Sequence, residues 1–137
     1  MVLVDTSIII DFLNRNRYKG VISTLLSTKE FGTTEIIIME VLQGVKEDKT
    51  YDKIKTFLES LPLVEMKYED YIEAANIYRT CRRKGITIRK SIDCIIAAVA
   101  MDNNLKLFSN DRDFDNIRKH FDLKGFSEEK PKEEPEG

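Results

Sequence analysis

Histidine occurs once in this chain, tryptophan not at all, cysteine twice and proline three times. The one histidine, His120, lies in a late polar stretch and reads as a surface residue rather than a catalyst. Cys81 and Cys94 form no close-spaced pair, which argues against a zinc site or a disulfide framework and fits a reducing cytoplasm. Long apolar runs are also missing. The longest, Cys94–Met101, has eight residues, far short of the ~20 needed to cross a bilayer. The N-terminus has no basic region followed by an apolar stretch, so no signal peptide is expected. No internal repeat is present.

What remains is the composition of a globular protein: 137 residues, 42% hydrophobic and 34% charged. That length favours one domain with a real core. The net charge of −2 hides an asymmetry. Residues 127–137 hold five Glu and two Lys, a charge of −3, which leaves the preceding body at +1. This Glu/Lys/Pro tail can bury little and is expected to be disordered, so the domain is placed at 1–126. Six basic residues and no acid fall between Arg79 and Lys90: Arg79, Arg82, Arg83, Lys84, Arg89 and Lys90. Such a patch can attract phosphate. On charge alone, a solvated helix end explains it better, because Lys and Arg suit a helix's last turn.

Val2–Asp5, Phe31–Thr33, Leu63–Met66, Leu105–Phe108 and Leu123–Phe126 read as short strands. Between them lie helical patterns. One follows Thr6-Ser7 through Leu13, with short segments at Val21–Ser27 and from Thr34 to about Val45. Tyr51–Leu61 is amphipathic and stopped by Pro62. Glu69–Lys84 carries Tyr71, Ile72, Ala75 and Tyr78 at three- and four-residue steps and ends at Gly85. Ser91–Asp102 is apolar nearly all round and predicts a buried helix. Asp111–His120 is a short final one. Alternating strands and helices predict an α/β fold with a parallel sheet of about five strands flanked by helices.

Four acids stand where apolar runs give way to polar ones: Asp5, Glu40, Asp93 and Asp111. Carboxylates that close to a core are costly unless positive charge meets them. Each has a plain alternative. Asp5 and Asp111 suit helix caps, and Asp93 suits a first helical turn. Glu40 has the poorest such explanation, with Ile36-Ile37-Ile38-Met39 on one side and Val41-Leu42 on the other. In an open parallel sheet, ligands gather beyond the carboxyl ends of the strands, which is where Asp5 and Asp111 fall. Hard oxygen ligands suit Mg²⁺ or Mn²⁺, and such ions support phosphodiester hydrolysis. Thr6 and Ser7 follow Asp5, and Ser109 and Asn110 precede Asp111; their oxygens can orient the carboxylates. Asp113 is either a further ligand or a first-turn acid.

Four segments, taken together and in this order, resemble the PIN-domain family, and within it the VapC-type toxins of toxin–antitoxin pairs. They are Val4-Asp5-Thr6-Ser7; Thr34–Gly44, with Met39-Glu40-Val41 at its centre; Ser91–Ala98, with Ile92-Asp93-Cys94; and Leu107–Phe114, with Ser109-Asn110-Asp111-Arg112-Asp113. The resemblance covers residues 1 to about 126. It implies a three-layer fold and a Mg²⁺- or Mn²⁺-dependent endoribonuclease that leaves 5′-phosphate and 3′-hydroxyl ends. It assigns the metal and the catalysis to Asp5, Glu40, Asp93 and Asp111, with Thr6, Ser109 and Asp113 in support. Ser109 stands where Thr is commoner, and the oxygen is kept. The resemblance further implies a homodimer and a cognate antitoxin whose segment enters the active-site groove. RNA would be held by local basic residues, Arg15, Arg17 and Lys19 or Arg82, Arg83, Lys84, Arg89 and Lys90.

Three other readings compete. A PIN-domain nuclease can process RNA without an antitoxin, and a PIN fold can serve as a protein-binding module with little turnover. Four intact acids argue against the module. A receiver-like phosphoacceptor domain wants a second acid two residues after Asp5, where Ser7 stands.

Overall fold

The computed structural model describes residues 1–127. Its centre is β1 (Val2–Val4), a fully buried Val-Leu-Val strand. On one side it pairs in parallel with β2 (Phe31–Gly32), and on the other with β3 (Lys106–Phe108), giving the order β2-β1-β3. The register sets Val2 beside Phe31 and Val4 beside Phe108.

The five strands expected become three strands and two single bridges. Leu63 bridges Thr33, and Gly125 bridges Leu107, both in parallel. The hydrogen bonds show why neither extends. Thr33 N–H donates to Pro62 O and Val64 N–H to Thr33 O, at 3.0 and 2.8 Å. Thr34 then turns away as the cap of the next helix, so the partner strand ends there. On the far edge, Leu107 N–H donates to Lys124 O at 2.8 Å and Phe126 N–H to Leu107 O at 2.9 Å. β3 stops one residue later. The parallel topology is as expected; only the ladder length differs.

Seven helices flank the sheet among the described residues: α1 (Thr6–Arg15), α2 (Lys19–Ser27), α3 (Glu35–Gln43), α4 (Asp48–Glu59), α5 (Tyr68–Arg83), α6 (Ser91–Asp102) and α7 (Arg112–Arg118). Most bounds match the periodicity within two residues. α4 instead starts at Asp48, ahead of the expected Tyr51, because Glu47 O accepts the Tyr51 N–H at 2.8 Å and closes an earlier turn. α7 ends at Arg118, short of His120, which is exposed. α6 is buried from Ile96 to Ala100 and packs against α5, as its all-round apolar pattern predicts. Of the tail, all but Ser127 lies outside the described residues.

β1 sits at the topological switch. From it the chain crosses to β2 on one side and later reaches β3 on the other. The crevice beyond the carboxyl ends of such strands is the ordinary ligand site of an open α/β sheet. Val4 leads there into Asp5, Gly32 into Thr33-Thr34, and Phe108 into Ser109.

Candidate active site

Asp5 leaves β1 at the crevice, and its own N–H donates to Phe108 O at 2.9 Å. Its side chain caps α1, as the plain reading of the sequence held. The cap does not exhaust it. Oδ2 accepts the Ser7 and Ser109 hydroxyls at 2.7 and 2.8 Å, besides a long bond from Ser7 N–H at 3.4 Å. Burial pushes the Asp5 carboxyl above its ordinary range, and the two hydroxyls pull it partly back. Ser109 Oγ also accepts the Asp111 N–H at 3.0 Å, so one hydroxyl joins the ends of β1 and β3.

Asp111 caps α7 through Oδ1, which accepts the Asp113 N–H at 3.0 Å. Asp113 is 2% exposed at its side chain and accepts backbone N–H groups from Arg89 and Lys90 at 3.2–3.3 Å. Burial works against its charge. The Asp93 proton, those N–H donors and the Arg89 guanidinium outweigh burial and hold the Asp113 carboxyl below its usual range. Asp93, in the first turn of α6, is 3% exposed. Burial, the hydrogen bond shared with Asp113 and the negative charge of Asp111 and Asp5 push it up to about 9.

Oxygens of Asp93, Asp111 and Asp113 lie within 4.8 Å of one another, a spacing that one cation can bridge. Asp93 Oδ2 is buried without a hydrogen-bond donor. A buried, unpartnered oxygen on a carboxylate grouped with two others is poorly placed unless a proton or a cation joins them. The donor set is hard oxygen throughout, with no histidine or cysteine, which suits Mg²⁺ or Mn²⁺. The residues therefore fit a divalent ion.

Glu40 reaches the crevice from α3, where its Oε1 accepts the Thr6 hydroxyl at 2.9 Å. Burial raises its pKa, and the charges of Asp5 and Asp111 raise it further, while the Thr6 bond and Lys90 lower it. Glu40 is thus within the field of the other acids. No base stands beside Glu40 in the sequence; the fold brings Lys90 within electrostatic reach of it from 50 residues downstream.

The PIN-domain profile matches residues 2–120. The chain belongs to the PIN-domain family. Among curated PIN-domain relatives, VapC ribonuclease Mb1587 of Mycobacterium bovis is 32% identical over 132 residues, covering 93% of this chain and 98% of its own. Ribonuclease VapC1 of Methanocaldococcus jannaschii is 28% identical over 123 residues, covering 90% and 85%. Among solved structures, VapBC2 from Rickettsia felis, bound to a DNA fragment from its promoter, superposes with a TM-score of 0.74 at 19% identity, covering 92% and 98%. The last comparison confirms the fold alone.

On this PIN domain, the expected acids converge, but not as one ligand set. The tightest group is Asp93, Asp111 and Asp113, with Asp5 joined through Ser109 and Glu40 through Thr6. Asp113 is more central than its supporting role implied. Ser7 matters more than a plain cap, since it donates to Asp5 and accepts the Asn110 N–H at 3.3 Å. Asp11, one helical turn further, accepts the Asn110 side-chain amide at 2.8 Å, and nothing in the sequence singled it out. Of the basic residues expected to meet RNA, Arg89 and Lys90 act on the acids themselves. Arg15, Arg82 and Arg83 occupy exposed last turns of α1 and α5, and Lys84 caps α5.

Proposed function

We propose that this chain is a divalent-metal-dependent endoribonuclease, the toxin of a toxin–antitoxin pair. Nuclease activity is supported by the names of its ribonuclease relatives. The observation that carries the metal reading is the compact group of Asp93, Asp111 and Asp113, in which Asp93 keeps one buried oxygen without a partner. The chemistry such a cation supplies when bound is charge: it polarises the phosphodiester, acidifies the attacking water and offsets charge on the leaving oxygen. Asp93, Asp111 and Asp113 offer the ligand oxygens, and Asp5 and Glu40 complete the ring. Ser7 and Ser109 hold Asp5 in its rotamer, and Thr6 does the same for Glu40. Asp93 must give up its proton before it can ligate. Lys90 at the rim offers positive charge to a polyanionic substrate that bare carboxylates would repel.

The partners follow from faces beside this crevice. A groove of about 380 Å³ runs between α1, α3 and α4, lined by Ile10, Leu13, Val41, Val45 and Ile54. The helices that form it also carry Thr6 and Glu40. We assign it to an apolar antitoxin segment, in keeping with the VapBC complexes that share the fold. A homodimer suits α5. Tyr68, Tyr71, Ala75 and Tyr78 form an exposed stripe at alternating three- and four-residue steps, with Ile72 beside it. Glu69 and Glu73 flank its start and Arg79, Arg82 and Arg83 its end, so two copies crossing antiparallel about a twofold axis pair acid with base. No helix among the described residues is long and apolar enough to cross a membrane. Cys81 and Cys94 are free and buried, which accords with a cytoplasmic setting.

Cleavage of structured RNAs with Mg²⁺ or Mn²⁺ tests the activity. The wild type cleaves and loses activity in EDTA, whereas Asp5→Asn and Asp93→Asn do not cleave. Equal cleavage by all three sinks the assignment.

A further inference from the structure

Arg89 lies on the segment that joins α5 to α6, and its backbone and side chain are held differently. The backbone is fixed: Arg89 N–H donates to both oxygens of Asp113, and Lys90 N–H donates to Oδ2. The side chain is laid over the acids. Nη2 donates to Asp111 Oδ1 at 2.9 Å, and Nε lies 3.5 Å from Asp113 Oδ1. It is 63% exposed, against 13% for Asp111 and 2% for Asp113. A guanidinium on an exposed stem can leave by rotating its own side-chain torsions, without any change of fold.

Arg89 holds oxygens of two of the three carboxylates that a cation would bridge. Asp111 Oδ1 already accepts the Asp113 N–H at 3.0 Å and the Arg89 guanidinium at 2.9 Å, which uses both its lone pairs. Asp111 and Asp113 are two of the three carboxylates whose oxygens share one 4.8 Å neighbourhood. The third, Asp93, receives no bond from Arg89 and is the one left with an orphaned oxygen. The guanidinium therefore offsets part of the cluster's charge but cannot satisfy all of it. A small cation between the three can.

We propose that Arg89 is a tethered internal cation that closes this site, and that a divalent ion binds by displacing it from Asp111 and Asp113. This rests on the metal reading given above. Metal uptake then competes with an ion pair built into the chain, so Arg89 sets the metal concentration at which the site fills. The released guanidinium stays at the rim, because its backbone remains tied to Asp113.

Calorimetric titration with Mn²⁺ tests this without reference to activity. Arg89→Gln is expected to bind Mn²⁺ about twofold to fivefold more tightly than wild type, the range set by one exposed charge pair. Lys84→Gln makes the same charge change on the same segment, away from the acids, and is expected to keep wild-type affinity. Unchanged or weaker binding by Arg89→Gln overturns the proposal, and so does an equal gain in Lys84→Gln. Failure of the metal reading looks different: neither wild type nor Arg89→Gln then takes up Mn²⁺ at millimolar concentration, which overturns both.

Discussion

Glu40 and Ser109 each take part in a hydrogen bond that links distant segments at the crevice. Glu40 accepts the Thr6 hydroxyl, a bond that glutamine can also accept through its amide oxygen. Glu40→Gln should therefore keep the fold, with stability within about 0.5 kcal/mol of wild type. It should weaken Mn²⁺ binding by about 10-fold or more, because a charge is removed from the ligand ring. Calorimetry beside a urea melt separates the two; intact Mn²⁺ affinity would put the quartet reading wrong at its centre. Ser109 donates to the Asp5 carboxylate and accepts the Asp111 backbone N–H, so Ser109→Ala loosens Asp5 and the backbone at Asp111 at once. We expect a loss of about 10-fold to 100-fold in kcat/KM. Ser109→Thr, which returns the hydroxyl, should restore most of it; a rate for Ser109→Ala equal to wild type would show that Asp5 needs no such support. In the sequence, both residues could be picked out by position. Their partners could not, since Thr6 lies 34 residues from Glu40 and Ser109 lies 104 from Asp5.

At the scale of elements, α5 and α6 differ in what they leave uncovered. α6 buries nearly every side chain from Asp93 to Ala100. α5 buries only Asp70, Ala74, Ile77 and Cys81 and leaves its tyrosines outside, Tyr68 at 73% exposure. A stripe of tyrosines with Ile72 beside it is more apolar area than a lone helix face usually shows to water. If this face joins two copies, Tyr71→Asp with Ile72→Asp should convert dimer to monomer in sedimentation, at unchanged helical content. Arg79→Glu alone should weaken the dimer, and pairing it with Glu73→Arg should restore it. A wild-type chain that sediments as a monomer, or a double variant that stays dimeric, removes α5 from the interface. The heptad-like spacing was visible in the sequence. That it faces outward was not, because an apolar stripe is read first as core.

For the whole molecule, the clustered acids couple stability to pH. Asp93 is raised from 3.8 to about 9 on folding, and Asp5 and Glu40 shift the same way. Across that window the native chain binds more protons than the unfolded one, so metal-free stability falls as pH rises. Asp113 is shifted down and acts oppositely, but only below its ordinary range. On the metal reading proposed above, a divalent ion would take the place of the Asp93 proton and bind only the folded site, so its stabilisation should grow with pH and with concentration, by about 2.7 kcal/mol at 100 times Kd. Urea melts at about pH 5 and about pH 8, with EDTA and with Mn²⁺, should show a falling line and a flat or rising one; parallel lines would exclude the linkage. The sequence by itself determined the α/β alternation, the buried helix at Ser91–Asp102 and the acids to watch, because hydrophobic period and an acid beside an apolar run are local properties. Its expectation of five strands came out as three strands and two single bridges, because Thr34 turns into α3 and β3 ends at Phe108. Only the tertiary structure decided that Asp113 joins Asp93 and Asp111, that Ser109 ties Asp5 to Asp111 and Thr6 holds Glu40, and that Arg89 covers Asp111 and Asp113. Those facts depend on distances between residues from β1, α3, α6 and α7, and a distance across the fold is written in no single stretch of chain.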